Sequence, residues 1–322
     1  MLETRFTRLV GCTVPIQLAG MGGVSVPALV AAVTAAGGLG MLGAAPASMP
    51  DRIDVLDAMG CSLRGANFLG PFLNPEEFEA TIERVRLAEV FWREPDPALV
   101  EQIHAAGALA GWQVGSVDDA RAAADAGCDI VVAQGVEAGG HVQGQIGLLP
   151  LLGAVVDAVG DDVVVVAAGG IGSARAMAAA LAAGAQAVRI GTRFVASAES
   201  GAHPDYKAAL VAAGADETVL SEEFGRTTGW PDAPNRVLRA ALDEASAFDG
   251  DVVAQLHLPG SDASFPVARF DTLPPLAECE GNVSAMAQYA GQSVGDVRAV
   301  QPAAEIVREL AEGAEALLSA AR

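Results

Sequence analysis

Of the four histidines in this 322-residue chain, His141 stands where an imidazole could do chemistry. It closes the run Glu137-Ala138-Gly139-Gly140-His141, just after the aliphatic stretch 130–134. An imidazole titrates near neutral pH, so it can take a proton from carbon or donate to a developing negative charge. The plainer alternative is a loop histidine bound to backbone carbonyls. His104 falls in a helical stretch before Gly107 and is expected to face solvent. His203 and His257 lie in the C-terminal third with no Asp, Glu or Cys at metal-ligand spacing, and no role is assigned to them.

Glycine gathers at four places: Ala19-Gly20-Met21-Gly22-Gly23, the run ending at His141, Gly169-Gly170-Ile171-Gly172, and Gly191-Thr192-Arg193. Such segments let backbone N–H groups approach a ligand without obstruction. Two of them in succession, with a helix starting near Ser173, suit a phosphate held on backbone and a helix N-terminus. No GxGxxG strand–helix unit for a dinucleotide is present, so one terminal phosphate fits better than two. The plainer alternative for any single loop is a tight turn. Asn67 and Gln134 are amides at or near the ends of apolar stretches. Each could address the edge of a heterocycle as donor and acceptor, or could satisfy loop backbone.

These loops need rigid elements to present them. Aliphatic runs predict strands at 14–18, 39–42, 65–69, 89–92, 109–113, 130–134, 163–168 and 187–190. Between them, helical stretches fall at 27–36, 49–59, 75–85, 97–106, 117–126, 148–159 and 173–183. Several open on Pro or a small polar residue and close on Gly37, Gly60, Gly107, Gly127 or Gly184. Strand–helix alternation indicates a parallel sheet buried on both faces, and its eightfold count favours an α/β (β/α)₈ TIM barrel over an open doubly wound sheet. A barrel builds its site at the carboxyl ends of its strands, where the glycine segments lie.

Beyond Phe194 the pattern changes. Residues 201–207 lead into a helix, 224–235 form a loop, 238–247 are helical, and 256–276 are irregular and rich in Pro and Asp. Helices are expected around 283–290 and 303–320, which makes this a C-terminal, mostly helical extension packing on the barrel. Residues 1–322 are expected to form one barrel domain, with 195–285 an insertion or lid and 286–322 returning to the barrel.

Hydrophobic residues make up 52% of the chain and charged residues 18%, enough for a large core. The mean hydropathy of +0.36 does not come from a bilayer-spanning run, because Asp, Arg or Pro interrupts the Ala/Gly-rich stretches. With no secretory signal pattern at the N-terminus, a cytoplasmic location is expected. A net charge of −21 speaks against a nucleic-acid partner. Cys12, Cys61, Cys128 and Cys279 form no CxxC pair, which points to reduced buried thiols and no metal site.

The loop sequences resemble the nitronate monooxygenase family, formerly called 2-nitropropane dioxygenases. The matching stretches are residues 15–21 (PIQLAGM) with 37–40 (GGLG), Asn67-Phe68, 132–141 (VAQGVEAGGH), 167–171 (AAGGI), 191–194 (GTRF) and 289–293 (YAGQS). Together they run over almost the whole chain. The Gln134–His141 run is the most specific; GGIG and GTRF occur in other phosphate-binding barrels. The resemblance implies a noncovalent flavin mononucleotide (FMN). Asn67, Gln134, Gly139, Gly140, Gly169, Gly170, Arg189, Ile190, Gly191 and Thr192 would contact it. Ala19, Gly20, Met21 and Gly22 would lie along its ring, with Tyr289, Gln292 and Ser293 close by. His141 corresponds to the family's catalytic histidine. Position 189 departs from the pattern, with Arg where Gln is expected. Arg189 and Arg193 are candidates for positive charge at the mouth.

The implied reaction is oxidation of an alkyl nitronate, or of a nitroalkane deprotonated by His141, with O₂ to a carbonyl compound and nitrite. A homodimer is compatible with it. Rival enzymes sharing the loops are an FMN-dependent enoyl-acyl-carrier-protein reductase and an NAD(P)H:quinone reductase. A rival of another class is a flavin-binding protein without turnover. A phosphosugar lyase or isomerase on the same barrel would leave Asn67 and Gln134 unexplained.

Overall fold

Local chemistry sets where each helix starts and stops. A computed structural model describes residues 2–45, 47–226, 230, 232–258 and 263–321. In it α1 (Arg5–Val10) precedes the first strand, and α2 (Pro27–Ala35), α3 (Met49–Ala58), α4 (Pro75–Ile82), α5 (Pro97–Ala105), α6 (Val117–Asp125), α7 (Leu148–Val159) and α8 (Ala174–Ala182) follow. Ser48, Asn74, Asp96, Ser116 and Ser173 cap α3, α4, α5, α6 and α8 by accepting first-turn N–H groups. Gly37, Gly60, Gly107, Gly127 and Gly184 leave their helices at φ between 72° and 103°, the left-handed geometry that ends a helix at little steric cost.

The strands are β1 (Ile16–Leu18), β2 (Met41–Leu42), β3 (Gly65–Leu69), β4 (Leu87–Phe91), β5 (Leu109–Val114), β6 (Ile130–Gln134), the short β7 (Gly140–His141), β8 (Val164–Ala168) and β9 (Ala187–Ile190). All but β7 join one eight-stranded sheet in the order β1-β9-β8-β6-β5-β4-β3-β2, and every pairing in it is parallel. Gln17 closes the ring by also forming a parallel bridge to Leu39, just before β2. This is the expected barrel. Val131, Val132, Val164, Val165, Val166 and Ala167 are at most 3% exposed, which explains why these strands read as aliphatic runs without alternation. The ends of β1, β2, β4, β5 and β8 differ from expectation by one or two residues; β4 starts at Leu87 and stops at Phe91, where Trp92 takes φ of 62° and turns out of the ladder.

The chain then continues through α9 (Thr192–Val195), α10 (Pro204–Ala212), β10 (Thr218–Ser221), β11 (Asn235–Leu238), α11 (Arg239–Ala247), β12 (Val252–His257), β13 (Ser264–Ala268), β14 (Cys279–Gly281) and α12 (Ala303–Ala320). Its buried side chains, among them Tyr206, Phe224, Val237, Leu256 and Met286, form a second apolar cluster over the barrel. The final helix α12 returns to the barrel's own core through Ile306, Val307 and Leu310 and packs on α8. At that contact a Cβ on Gly313 would come within 2.6 Å of the Ala174 Cβ.

Two local expectations are corrected. Within 256–276, β13 pairs with β12, which also pairs with β14; residues 259–262 of that stretch lie outside the described residues. Residues 283–290 hold one 3₁₀ turn, Val283–Ala285, and then run extended. Leu238 N–H donates to the Gln288 carbonyl and Ala290 N–H to that of Arg236, so sheet pairing takes the backbone groups a helix would have used. The loop expected at 224–235 includes residues 227–229 and 231, which lie outside the described residues. No helix among the described residues is long and apolar enough to cross a membrane. Among them no three His, Cys, Asp or Glu side chains could hold a metal, and all four cysteines are free and buried.

Candidate active site at the barrel mouth

A cavity of about 480 Å³ opens at the carboxyl ends of the barrel strands. It brings together Ala19, Gly20, Met21 and Gly22 after β1, Asn67 on β3, Gln134 on β6, Gly139, Gly140 and His141 at β7, Gly169 and Gly170 after β8, and Arg189, Gly191 and Thr192 at β9, with Tyr289 and Ser293 from the extension. Ile190 and Gln292 are not part of the wall. Ile190 is fully buried in the barrel core, and Gln292 N–H donates to the Glu137 carbonyl. The wall also holds residues that the sequence did not single out: Gln113, Phe91, Leu69, Trp230 and the turn Asp271-Thr272-Leu273-Pro274. Gln113 carried the same signal as Gln134, an amide near the end of an apolar strand. Trp230 and the Asp271 turn carried none, because long-range packing puts them there.

One side of the wall is backbone. Gly169 and Gly170 have φ of 108° and 66°, so they turn without side chains just before Ser173 caps α8. Gly191, with φ of −114°, opens α9 opposite Ala19. Thr192 accepts the Gly291 N–H through Oγ1, which ties this corner to the extension. Arg193 does not supply free charge here. Its guanidinium donates to the Gly172 carbonyl and pairs with Glu309 on α12 at 2.7 Å.

The inner wall is a buried polar group. Glu89 on β4 is fully buried and takes hydrogen bonds from Asn67 Nδ2 at 2.7 Å, Gln17 Nε2 at 3.2 Å and Arg189 Nη2. Arg189 also donates to Gln113 Oε1 at 2.5 Å. Gly111 stands beside Glu89 in the ladder, and a Cβ there would come within 3.1 Å of Leu87 Cδ1. Arg189 therefore lines the cavity without offering an unpaired cation: its charge is matched by Glu89 across the barrel. Burial lowers its pKa to about 9, which leaves the guanidinium charged at neutral pH.

Gln134 lines the cavity and is also tied to the neighbouring loop. It donates from Nε2 to the His141 carbonyl at 2.9 Å and accepts the Gln143 N–H at Oε1. Both ends of the amide thus satisfy loop backbone and fix the segment carrying His141. Glu137, two residues past Gly135, caps α7 by accepting the Leu148 N–H, a position where Gly147 offers no side chain.

His141 is held from both sides. β7 pairs antiparallel with β11, Asn235 opposite His141 and Arg236 opposite Gly140, and Val142 N–H donates to the Pro234 carbonyl. The imidazole stacks on Trp230 with ring centroids 3.9 Å apart and planes at 16°, while Trp92 and Tyr289 stand 5.9 and 5.7 Å away. Its Nε2 is buried and has no hydrogen-bond partner among the described residues. Burial pushes the imidazole pKa down to about 4, so the ring is neutral at physiological pH. Burial likewise raises the Tyr289 phenol and the Asp271 carboxyl, leaving the former a hydrogen-bond donor to the Thr272 carbonyl.

Comparison with known proteins agrees with this geometry. The family profile described as nitronate monooxygenase matches residues 3–59 and 79–313. A (3aS,4S,5R,7aS)-5-hydroxy-7a-methyl-1-oxo-octahydro-1H-indene-4-carboxyl-CoA dehydrogenase from Rhodococcus jostii is 35% identical over 256 residues, covering 78% of this chain and 70% of its own. A nitronate monooxygenase from Pseudomonas aeruginosa is 33% identical over 363 residues, covering 97% of this chain and 99% of its own. The solved structure of FabK from Thermotoga maritima superposes with a TM-score of 0.78 at 29% identity, over 100% of this chain and 99% of that one.

The Glu89–Arg189 pair yields a stability prediction. Glu89→Gln removes the counter-charge of a buried guanidinium and should cost roughly 3–5 kcal/mol in denaturant unfolding. Adding Arg189→Gln removes the stranded charge and should recover most of that loss. If the double variant loses as much as the two single changes summed, the two side chains are not energetically coupled.

Proposed function

This chain belongs to the nitronate monooxygenase family, a family of oxidoreductases, and from that membership we propose that it is an FMN-dependent nitronate monooxygenase. The observation carrying the proposal is a neutral, partnerless imidazole nitrogen on a cavity that glycine backbone also lines. The substrate read from it is a small alkyl nitronate, or the parent nitroalkane, with O₂ as co-substrate. The fit to FMN rests on three features. The cavity has the size of a ligand site. Gly170 and Gly191 offer N–H groups at two helix starts where a phosphate would be favoured. Asn67, with Nδ2 given to Glu89, and Gln113, with Oε1 given to Arg189, keep an acceptor and a donor for a heterocycle edge. Bound FMN would supply the electron-accepting ring and the reaction with O₂ that ends in a carbonyl compound and nitrite.

The chain's own part is to bind, dry and deprotonate. A neutral imidazole can take the α-proton of a nitroalkane, and apolar walls at Leu69, Phe91 and Trp230 keep water from competing for it. The resulting anion meets backbone N–H groups, since Arg189 and Arg193 are matched by Glu89 and Glu309. The net charge of −21 has little say at this range, because charges beyond about 8 Å are largely screened at physiological salt. In this reading residues 195–285 cover the mouth as a lid on the barrel and α12 anchors their return. A second reading is favoured by the Rhodococcus relative, whose name specifies dehydrogenation of a carboxyl-CoA substrate: oxidoreduction of an acyl-CoA thioester.

Two variants test the site. Gly191 has an unstrained φ, and a Cβ there would sit in ordinary contact, 3.4 Å from Ala19 and 3.6 Å from Met21. Gly191→Asp should therefore purify folded by far-UV circular dichroism yet without FMN, while Gly191→Ala keeps it. Flavin retained at wild-type level by the Asp variant would place the phosphate elsewhere. For catalysis, His141→Asn should lower turnover of neutral nitroalkane by roughly 10²–10⁴ while leaving substantial activity on preformed nitronate, which has no α-proton left to lose. Equal losses on both substrates would make His141 a binding group instead of a base.

A further inference from the structure

We propose that Trp230 is the positioning residue of this site: its indole, stacked face to face on His141, fixes the imidazole plane and keeps water off Nε2, so that the base stays unprotonated. The assignment rests on the reading of His141 as the base. Trp230 is 7% exposed and sits between residues outside the described set, yet its own ring is the centre of an aromatic group. Besides the parallel stack on His141 it meets Trp92 edge-on at 5.4 Å and Phe72 edge-on at 5.1 Å. Trp92 in turn stands edge-on to His141 and holds its place with φ of 62°, a conformation a bulky side chain adopts when its surroundings impose it. Trp92, Trp230 and Tyr289, distant in sequence, thus converge on one imidazole.

The alternative means of fixing a catalytic histidine is a carboxylate or carbonyl on a ring nitrogen, and no described residue hydrogen-bonds Nε2. The titratable and charged groups on the elements packed around the ring are accounted for elsewhere. Tyr289 donates to the Thr272 carbonyl, and Asp271 accepts the Leu273 N–H. Arg236, on the strand paired with β7, donates to the Val136 carbonyl. Glu137 caps α7, and Arg93, after β4, pairs with Asp96. None of them hydrogen-bonds the imidazole. A ring with no polar tether can hold its orientation by packing, and a stacked indole packs a flat ring with the least rotational freedom. Excluding water from the ring also disfavours its charged form.

The test is the titration of His141 in the flavin-loaded protein, read by NMR of imidazole carbons. The chain has four histidines, and His141→Asn assigns the signal. In the wild type His141 should stay neutral down to about pH 4. Trp230→Phe keeps a ring to stack and should titrate close to the wild type, whereas Trp230→Ala should rise toward the ordinary value near 6.5. In that variant, turnover of neutral nitroalkane should fall about tenfold between pH 8 and pH 5.5, with little change in the wild type over the same span. If Trp230→Ala does not fold, Trp230→Leu replaces the ring by an apolar chain, and its His141 should titrate above that of the Phe variant. His141 still titrating near its wild-type value without the ring, or rising as far in the Phe variant as in the Ala variant, overturns the proposal. A titration that rises without any matching change in the pH profile of nitroalkane turnover upholds the stack and counts against His141 as the base.

Discussion

The geometry of the mouth follows from the closure of the barrel at β1. That strand is three residues long, and its middle residue, Gln17, pairs with Arg189 of β9 on one side and bridges to Leu39 on the other. In a parallel sheet all strands run the same way, and closing it brings the eight carboxyl ends and the loops after them into one ring. Asn67, Gln134 and Gly170, far apart in the chain, become neighbours around one cavity for this reason. Closure also turns alternate side chains into the barrel, where Glu89, Arg189, Gln17, Asn67 and Gln113 form one hydrogen-bonded group that leaves Gln17 Oε1 and Arg189 Nε without a partner among the described residues. The floor of the cavity is consequently a fixed hydrogen-bonded platform.

Charge at this mouth is distributed with economy. Arg189 and Arg193 would be natural anion ligands, yet each is engaged with a carboxylate of the protein. Apart from Arg189 and Asp271, what faces the cavity is neutral: glycine N–H groups, three amides, a threonine hydroxyl and an imidazole held uncharged by burial. A neutral dry site favours dispersed charge over a localised one, which suits an anion whose charge is shared by two oxygens and a carbon. The extension completes the site. β11 holds His141 through the ladder to β7, and Tyr206 on α10 ties down the 289–293 segment by donating to the Tyr289 carbonyl.

Much of this was legible in the sequence, and the reason differs by element. The barrel strands could be found because strands buried on both faces read as aliphatic runs, and the helix ends because glycine marks a left-handed exit. The glycine segments identified the mouth, since their spacing places each one just after a strand. Elements in the extension were harder. β13 carries Pro266 and three exposed residues, so it shows no alternation. Residues 286–290 have helical composition, but the neighbouring β11 takes up their backbone groups. At the site, Arg189 looked like a free cation because its partner lies 100 residues earlier, on a strand whose one carboxylate gives no local hint of where it points. Gln134 was ambiguous for the same reason: an amide at a strand end can serve ligand or loop, and here it bonds loop backbone while lining the cavity. Trp230 reaches His141 through tertiary packing that no local pattern records.

The most direct test of the account is oxygen uptake by the purified holoenzyme supplied with a small alkyl nitronate and no nicotinamide. The account predicts O₂ consumption with nitrite released, independent of added NADH or NADPH. A flavin that stays inert to nitronate, but is reduced by NADH or NADPH and then reoxidised by an unsaturated acyl thioester, would contradict it.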